Sequence, residues 1–287
     1  MNGIYFDNRV IFRGNDKVAY RDPAAIYTNG IFYLFYTYSR IICGKHYLQI
    51  AVSESRNLKD FSPPRPITPL DVNLNYSSVG NVLRYDDGYL LCFQTYPRPN
   101  GEKYGNENCR LYTSFTKNFV DFTPPKLMLV KGDDATAGRM IDPFLLFNRK
   151  DGYYYCFFKQ NGVSFSRSKD LETWEFLGND ETTGENVCVL PYGGRYIMYH
   201  SPKDGISLKI SADLIEWEDM GRTYFFDSKK YDFSKGRISA GFVLDLNDQF
   251  DEYVMFYHAS GPEDESAYFD TNASLLMRVS SNPLEWK

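Results

Sequence analysis

Five short segments of this chain repeat one pattern: SRNLKDF at 55–61, TKNFVDF at 116–122, SKDLETW at 168–174, SADLIEW at 211–217 and SSNPLEW at 280–286. Each begins with Ser or Thr, has Asn or Asp two residues later and ends in Phe or Trp. The fourth residue is Leu or Phe in four copies and Pro283 in the last. The terminal aromatics stand 43 to 69 residues apart, so the repeating unit carries loops of unequal length. A chain that recurs in this way builds its fold from copies of one small supersecondary unit.

A second pattern precedes each copy. An apolar run, a turn and an aromatic-rich run follow one another, with turns and second runs NGIFYLFYT at 29–37, DGYLLCFQT at 87–95, DGYYYCFFK at 151–159 and GGRYIMYHS at 193–201. DEYVMFYHA at 251–259 takes this place in the fifth unit without the Gly. Asn-Gly and Asp-Gly between apolar runs are hairpin signals. The 17% aromatic content suits strands. Units of this size, each a small antiparallel sheet, predict an all-β, five-bladed β-propeller in a single domain over 1–287. The predicted blades lie near 20–61, 78–122, 141–174, 184–217 and 237–287. The segment IYFDNRVIF at 4–12 is placed to supply the outer strand of the last blade and close the ring, which protects the sheet edges. A β-sandwich does not explain five copies of one motif.

Three of the five units carry an acid where the first strand begins: Asp22 in RDPAAIY, Asp142 in MIDPFLLF and Glu185 in GENVCVL. Each stands 8 to 10 residues before the Gly of its turn. The other two units offer SSVGNVL and RISAGFVL at the same place. A single Asp-Pro reads as turn chemistry. First strands of a propeller line the axis, so three acids at matching positions would converge at one mouth. Converging carboxylates repel and raise one another's pKa. They suit glycoside hydrolysis, in which one protonated acid serves the leaving oxygen and a second carboxylate activates water or attacks the sugar.

At these residues the chain resembles glycoside hydrolase family 43 and, more distantly, families 32 and 68. RDPAAIYTNGIFYLFYT and IDPFLLFNRKDGYYYCFF carry the resemblance over nearly the whole chain; at GENVCVLPYGGRYIMYHS, Asn186-Val187 stands where the family often has Gly-Pro. The resemblance implies Asp22 as general base, Asp142 as the residue that orients substrate and modulates the acid, and Glu185 as general acid. It also implies inversion, with base and acid roughly 6.5–9.5 Å apart; the NDPNG signature of the sucrose-acting families is absent. The expected partner is a carbohydrate, a small oligosaccharide or a side-chain sugar. No cofactor is required by this chemistry. Related enzymes often place a histidine near the axis at the start of the fifth blade, sometimes with a bound cation. This chain has Phe242 there, which counts against a structural Ca²⁺.

Around the mouth, Arg237 is placed to bind a sugar hydroxyl or hold a carboxylate ionised. His258, which ends an aromatic strand, is a further candidate for binding the sugar. Tyr38, Tyr76 and Tyr96 fall in expected loops, where they would stack on sugar rings, and His46 follows a strand of the first unit, either bordering the pocket or, on the simpler reading, standing as an exposed loop histidine. The Asp133–Asp134 and Lys229–Lys230 pairs read as solvated loops. Arg139, Lys159 and Arg237 keep a glycoside phosphorylase open, because phosphate needs a basic pocket beside the acid. A non-catalytic propeller that binds a carbohydrate or protein partner is the other alternative.

The net charge of −5 supplies no basic field for nucleic acid or anionic lipid. No apolar run approaches the roughly 18–20 residues of a membrane span. The N-terminus lacks the pattern of a signal peptide, which favours a cytoplasmic protein; a periplasmic or secreted one whose signal had been removed would look the same. Five cysteines without a CxxC pair read as free thiols in a reducing compartment. With three scattered histidines they give no zinc site.

Overall fold

A computed structural model describes residues 3–132, 138–226, 230–261 and 271–286. Five four-stranded antiparallel sheets form a five-bladed propeller. Blade 1 holds Val18–Thr28, Ile31–Ile42, Lys45–Ser55 and Arg65–Pro66; blade 2 holds Ser77–Tyr85, Gly88–Gln94, Leu111–Thr116 and Lys126–Leu127. Blade 3 holds Ile141–Asn148, Tyr153–Lys159, Val163–Ser168 and Trp174–Asp180; blade 4 holds Glu185–Tyr192, Arg195–Ser201, Ile206–Ser211 and Glu218–Tyr224. Blade 5 takes Ile238–Leu246, Glu252–Ala259 and Ser274–Ser280, and its outer strand is the N-terminal Arg9–Phe12, paired with Ser274–Ser280. Each blade's first strand packs against those of the two neighbouring blades, which places all five around the axis. No helix among the described residues is long and apolar enough to cross a membrane.

The repeated motif is the turn between the third and fourth strands. In the first copy, Ser55 Oγ accepts the Asn57 N–H at 3.2 Å, and Asn57 Oδ1 accepts the N–H groups of Lys59 and Asp60 at 2.9 Å each. Leu58 between them is left-handed at φ 58° and fully buried. Phe119, Leu171 and Leu214 repeat this with φ between 57° and 71°. An apolar L-residue in that region costs about 1–2 kcal/mol; the side-chain hydrogen bonds to backbone N–H groups and the burial of Leu58, Phe119 and Leu214 offset it. Proline cannot adopt a positive φ, so Pro283 makes the last copy a different turn. Its carbonyl instead accepts from Tyr199 Oη at 2.5 Å and Trp286 Nε1 at 2.9 Å, tying the C-terminus to blade 4. The outer-strand place of this blade is filled by the N-terminal Arg9–Phe12.

The predicted blade limits stop at the motif aromatics, whereas in blades 1–4 the outer strand lies beyond the motif. The turn assignments are also refined. Asn29-Gly30 and Gly193-Gly194 are two-residue turns with both φ positive, as hairpin twist requires. In blade 2 the turn is Asp86-Asp87, and Gly88 pairs with Tyr85 inside the ladder. A Cβ at Gly88 would stand 2.5 Å from Thr116 O, so close backbone approach explains that glycine.

The aromatic runs are the second strands, sandwiched between neighbouring strands and blades. Phe32, Phe35, Tyr36, Phe93, Phe157, Phe158, Tyr199, Phe256 and Tyr257 are all fully buried there. Burial on both faces is why these runs lack polar alternation. Blades 2 and 3 approach closely at Gly80, where a Cβ would fall 1.4 Å from Pro143 O. Gly80→Ala is therefore expected to destabilise by roughly 3 kcal/mol or more, read as a fall in the denaturant midpoint; an unchanged midpoint would contradict this packing.

Candidate active site

Every inner strand bulges at the same level. The first bulged residues are Asp22, Ser78, Asp142, Asn186 and Ala240, all with φ between 46° and 57°. Five non-glycine residues in this region are strained positions, which cluster at functional sites. Here the sequence alignment needs correction. Asn186, not Glu185, is the blade 4 counterpart of Asp22 and Asp142. Glu185 pairs with Ser201 and stands level with Arg21, Ser77, Ile141 and Ser239. One residue of offset re-aims a side chain in a strand.

The residues opposite this level, one on each second strand, are Thr37, Gln94, Lys159, Ser201 and His258. Four of them accept the bulge N–H of the next blade. Thr37 Oγ1 accepts from Ser78 at 2.8 Å, Gln94 Oε1 from Asp142, Ser201 Oγ from Ala240 at 2.7 Å and His258 Nδ1 from Asp22 at 3.2 Å. Strained bulge amides are thus satisfied across four of the five blade seams. Lys159 has no acceptor atom and breaks the series; its ammonium pairs with Glu185.

Above the bulges lies a cavity of about 320 Å³ whose lining includes Asp22, Asp142 and Glu185, from blades 1, 3 and 4. Asp22 accepts from Thr37 Oγ1 at 2.9 Å. Asp142 accepts from Ser78 Oγ at 2.8 Å. Burial, then the charges of Glu185 and Asp22, push the Asp142 carboxyl up to about 7, against Lys159 and Ser78. Glu185 behaves oppositely. Burial works against its charge, but Lys159 and Arg237 outweigh burial and hold it down at about 2. Arg237 Nη2 donates to Glu185 Oε1 at 2.7 Å. A buried carboxyl that holds its proton up to about neutral pH thus stands beside one held as an anion, the separation that acid–base sites exploit.

The other expected site residues divide. Tyr96 lines the cavity, buried, and accepts from Arg139 Nη2 at 3.1 Å. His258 does not line it. Its Nδ1 accepts the Asp22 amide, so the ring proton sits on Nε2; burial, with Arg21 and Arg237 nearby, keeps the ring neutral. Its place is beneath the site, holding a bulge. Tyr38 lies in the second strand of blade 1, not in a loop, half-buried and stacked on Tyr20 at 5.5 Å, outside the cavity lining. Tyr76 is buried edge-on to Phe93 and Tyr112, and His46 is half-buried away from the cavity. Asp133, Asp134 and Lys229 lie outside the described residues. Arg21, Thr37, Gln94, Ser77, Ser78 and Tyr104 line the cavity without having been singled out by sequence. Arg21 was within reach, adjoining the Asp-Pro pair; Tyr104 carries no local signal. Among the described residues no group of three or more His, Cys, Asp or Glu could hold a metal. Phe242 lines the small axial cavity below, together with Asp22, Asp142 and Asn186. All five cysteines are free; only Cys43 is exposed.

No family model matches the sequence, and no curated protein does. Solved structures do. A thermostable family-43 glycoside hydrolase is 14% identical with TM-score 0.65, over 99% of this chain and 95% of that one. The GH43 endo-arabinanase from Bacillus licheniformis is 16% identical with TM-score 0.62, over 96% of each chain. The catalytic domain of the Coprinopsis cinerea GH62 α-L-arabinofuranosidase is 11% identical with TM-score 0.69, again over 96% of each. The chain therefore has the five-bladed fold shared by family 43 and family 62 glycosidases.

Proposed function

We propose that this chain is a glycoside hydrolase acting on a small oligosaccharide or side-chain sugar. The observation that carries the reading is the set of three carboxylates from three blades on one cavity, with the protonation of two of them driven apart. A propeller that only docks a partner has no use for that arrangement. The fold and the arabinanase and arabinofuranosidase neighbours agree with the reading but do not fix the substrate. Asp22, held by Thr37 and resting on a neutral histidine, is the general base for water. Asp142 stores the proton of the resting site. Glu185 delivers it to the leaving oxygen once substrate displaces Lys159, whose side chain is 38% exposed at the rim. Inversion follows if Asp22 activates water without bonding to the sugar.

A panel of aryl arabinofuranosides, xylosides and galactosides tests this, with and without phosphate. Release of the aryl alcohol from at least one of them, indifferent to phosphate, is the expected result, and NMR of the first-formed anomer reads inversion. No release above buffer across the panel and across unactivated oligosaccharides would sink it.

A further inference from the structure

The cavity carries more positive than negative charge. Among the described residues its lining holds four cations, Arg21, Arg139, Lys159 and Arg237, against three carboxylates. The chain as a whole is at −5, so the surplus is local. Two of the cations are spent on one carboxylate, since Lys159 and Arg237 both pair with Glu185. Arg139 differs. Its guanidinium donates to Tyr96 Oη at 3.1 Å and lies near the Tyr96 ring at 5.4 Å, with the Cys109 thiol and, farther off, the Asp142 carboxyl as its other polar neighbours. The two nearer groups are neutral, with burial raising the Tyr96 hydroxyl and the Cys109 thiol, the latter to about 11. Among the described residues no carboxylate comes within salt-bridge distance of Arg139. A half-buried guanidinium that no carboxylate bonds keeps donors available for an incoming anion, and a neutral sugar does not use their charge.

Lys159 is the second anomaly. At the four equivalent positions the chain uses a residue that accepts the next blade's amide. A lysine there gives up that bond, and what replaces it is a movable charge facing the cavity. Arg139 leads into the inner strand of blade 3, three residues before Asp142, and Lys159 ends the second strand, paired opposite Ile141.

We propose that this cavity binds an oxyanion, held by the Arg139 guanidinium and assisted by Lys159, either as the carboxylate of a uronosyl substrate or as phosphate. A planar guanidinium matches the two oxygens of either group. Drawing Lys159 toward the anion would also loosen its grip on Glu185, so that occupancy and acid competence are linked. The inference builds on the glycosidase reading for its location but concerns binding.

Calorimetric titration of the wild-type protein with galacturonate and glucuronate, against galactose and glucose, gives the test. Each uronate is expected to bind about 10- to 100-fold tighter than its neutral partner, the scale of a charge-assisted hydrogen bond. The preference should shrink with added salt, vanish in Arg139→Gln and survive in part in Arg139→Lys, which keeps the charge and loses the fork. Should Arg139→Gln fail to fold, Lys159→Gln serves, with a several-fold loss of preference expected. Inorganic phosphate is titrated in parallel. Phosphate binding that depends on Arg139, without uronate preference, identifies phosphate as the anion. In that case phosphate oxygen forms the new bond to the anomeric carbon as the glycosidic C–O bond breaks, and the leaving oxygen takes the acid's proton. Equal binding of uronates and neutral sugars, together with no Arg139-dependent phosphate binding, overturns the inference. Hydrolysis of neutral glycosides by the wild-type protein, together with equal binding of uronates and neutral sugars and no Arg139-dependent phosphate binding, would leave the glycosidase reading standing and overturn this one. Uronate binding without turnover of any glycoside would do the reverse.

Discussion

Asp22→Asn is expected to lower turnover by about 10²–10⁴-fold on every glycoside the protein cleaves. The amide cannot take a proton from water, yet its oxygen can still accept from Thr37 Oγ1, so the site keeps its shape and KM should change little. Glu185→Gln should behave differently. An activated aryl glycoside needs little protonation of its leaving oxygen and should retain most of its rate, whereas an alkyl or sugar leaving group should lose about as much as in Asp22→Asn. The measurement is kcat against leaving-group pKa for wild type and both variants. A steeper dependence in Glu185→Gln alone marks Glu185 as the donor. Equal losses across leaving groups would remove Glu185 from that role and pass it to Asp142, the carboxyl that holds a proton in the resting site.

The same two acids should move stability in opposite directions. The Asp142 carboxyl is raised to about 7 in the folded protein, so its protonated form is favoured there. Its favourable contribution is complete below the unfolded carboxyl value and is lost as pH rises through about 7. Above that pH it is a buried anion facing two others. Asp142→Asn keeps an acceptor for Ser78 and removes the charge, so it should stabilise at pH 8 by about 2 kcal/mol, or roughly 4 °C in Tm or more. The gain should fade toward pH 4. Glu185, depressed to about 2, contributes stability above the unfolded carboxyl value and loses it as pH falls toward 2. Glu185→Gln leaves Lys159 and Arg237 without their anion. Discounted for the partial exposure of Lys159, it should cost about 2 kcal/mol at neutral pH. Thermal melts of both variants between pH 4 and 8 decide the matter. A destabilised Asp142→Asn at pH 8 would falsify the electrostatic account of the site.

Much of this protein is legible in its sequence. The five Ser/Thr-x-Asn/Asp turns are local hydrogen-bond devices, complete within seven residues, so their count announces the blades before any tertiary contact is known. The aromatic second strands are legible for a similar reason, because burial on both faces leaves unbroken apolar runs. Asp22 and Asp142 stand out because each precedes a proline at the start of such a unit. Even the closing strand at Arg9–Phe12 is legible, as a strand-like segment ahead of the first unit that can complete the last blade.

What only the tertiary structure decides is how neighbouring blades meet. Glu185 reads as the counterpart of Asp22 until the bulge at Asn186 shows it one residue out of step; a bulge is a register event between two strands, and neither strand alone records it. His258 reads as a ligand for sugar and proves to be a prop for the Asp22 amide, because that bond spans the seam between the last blade and the first. Lys159 looks like the polar end of an aromatic strand. Its meaning appears only beside Thr37, Gln94, Ser201 and His258, four acceptors in places where it has none, and beside Glu185, whose proton it displaces. Charge interactions act through space at distances the chain's order does not encode, so the sequence determines which acids and bases exist and the closed ring determines which of them hold protons.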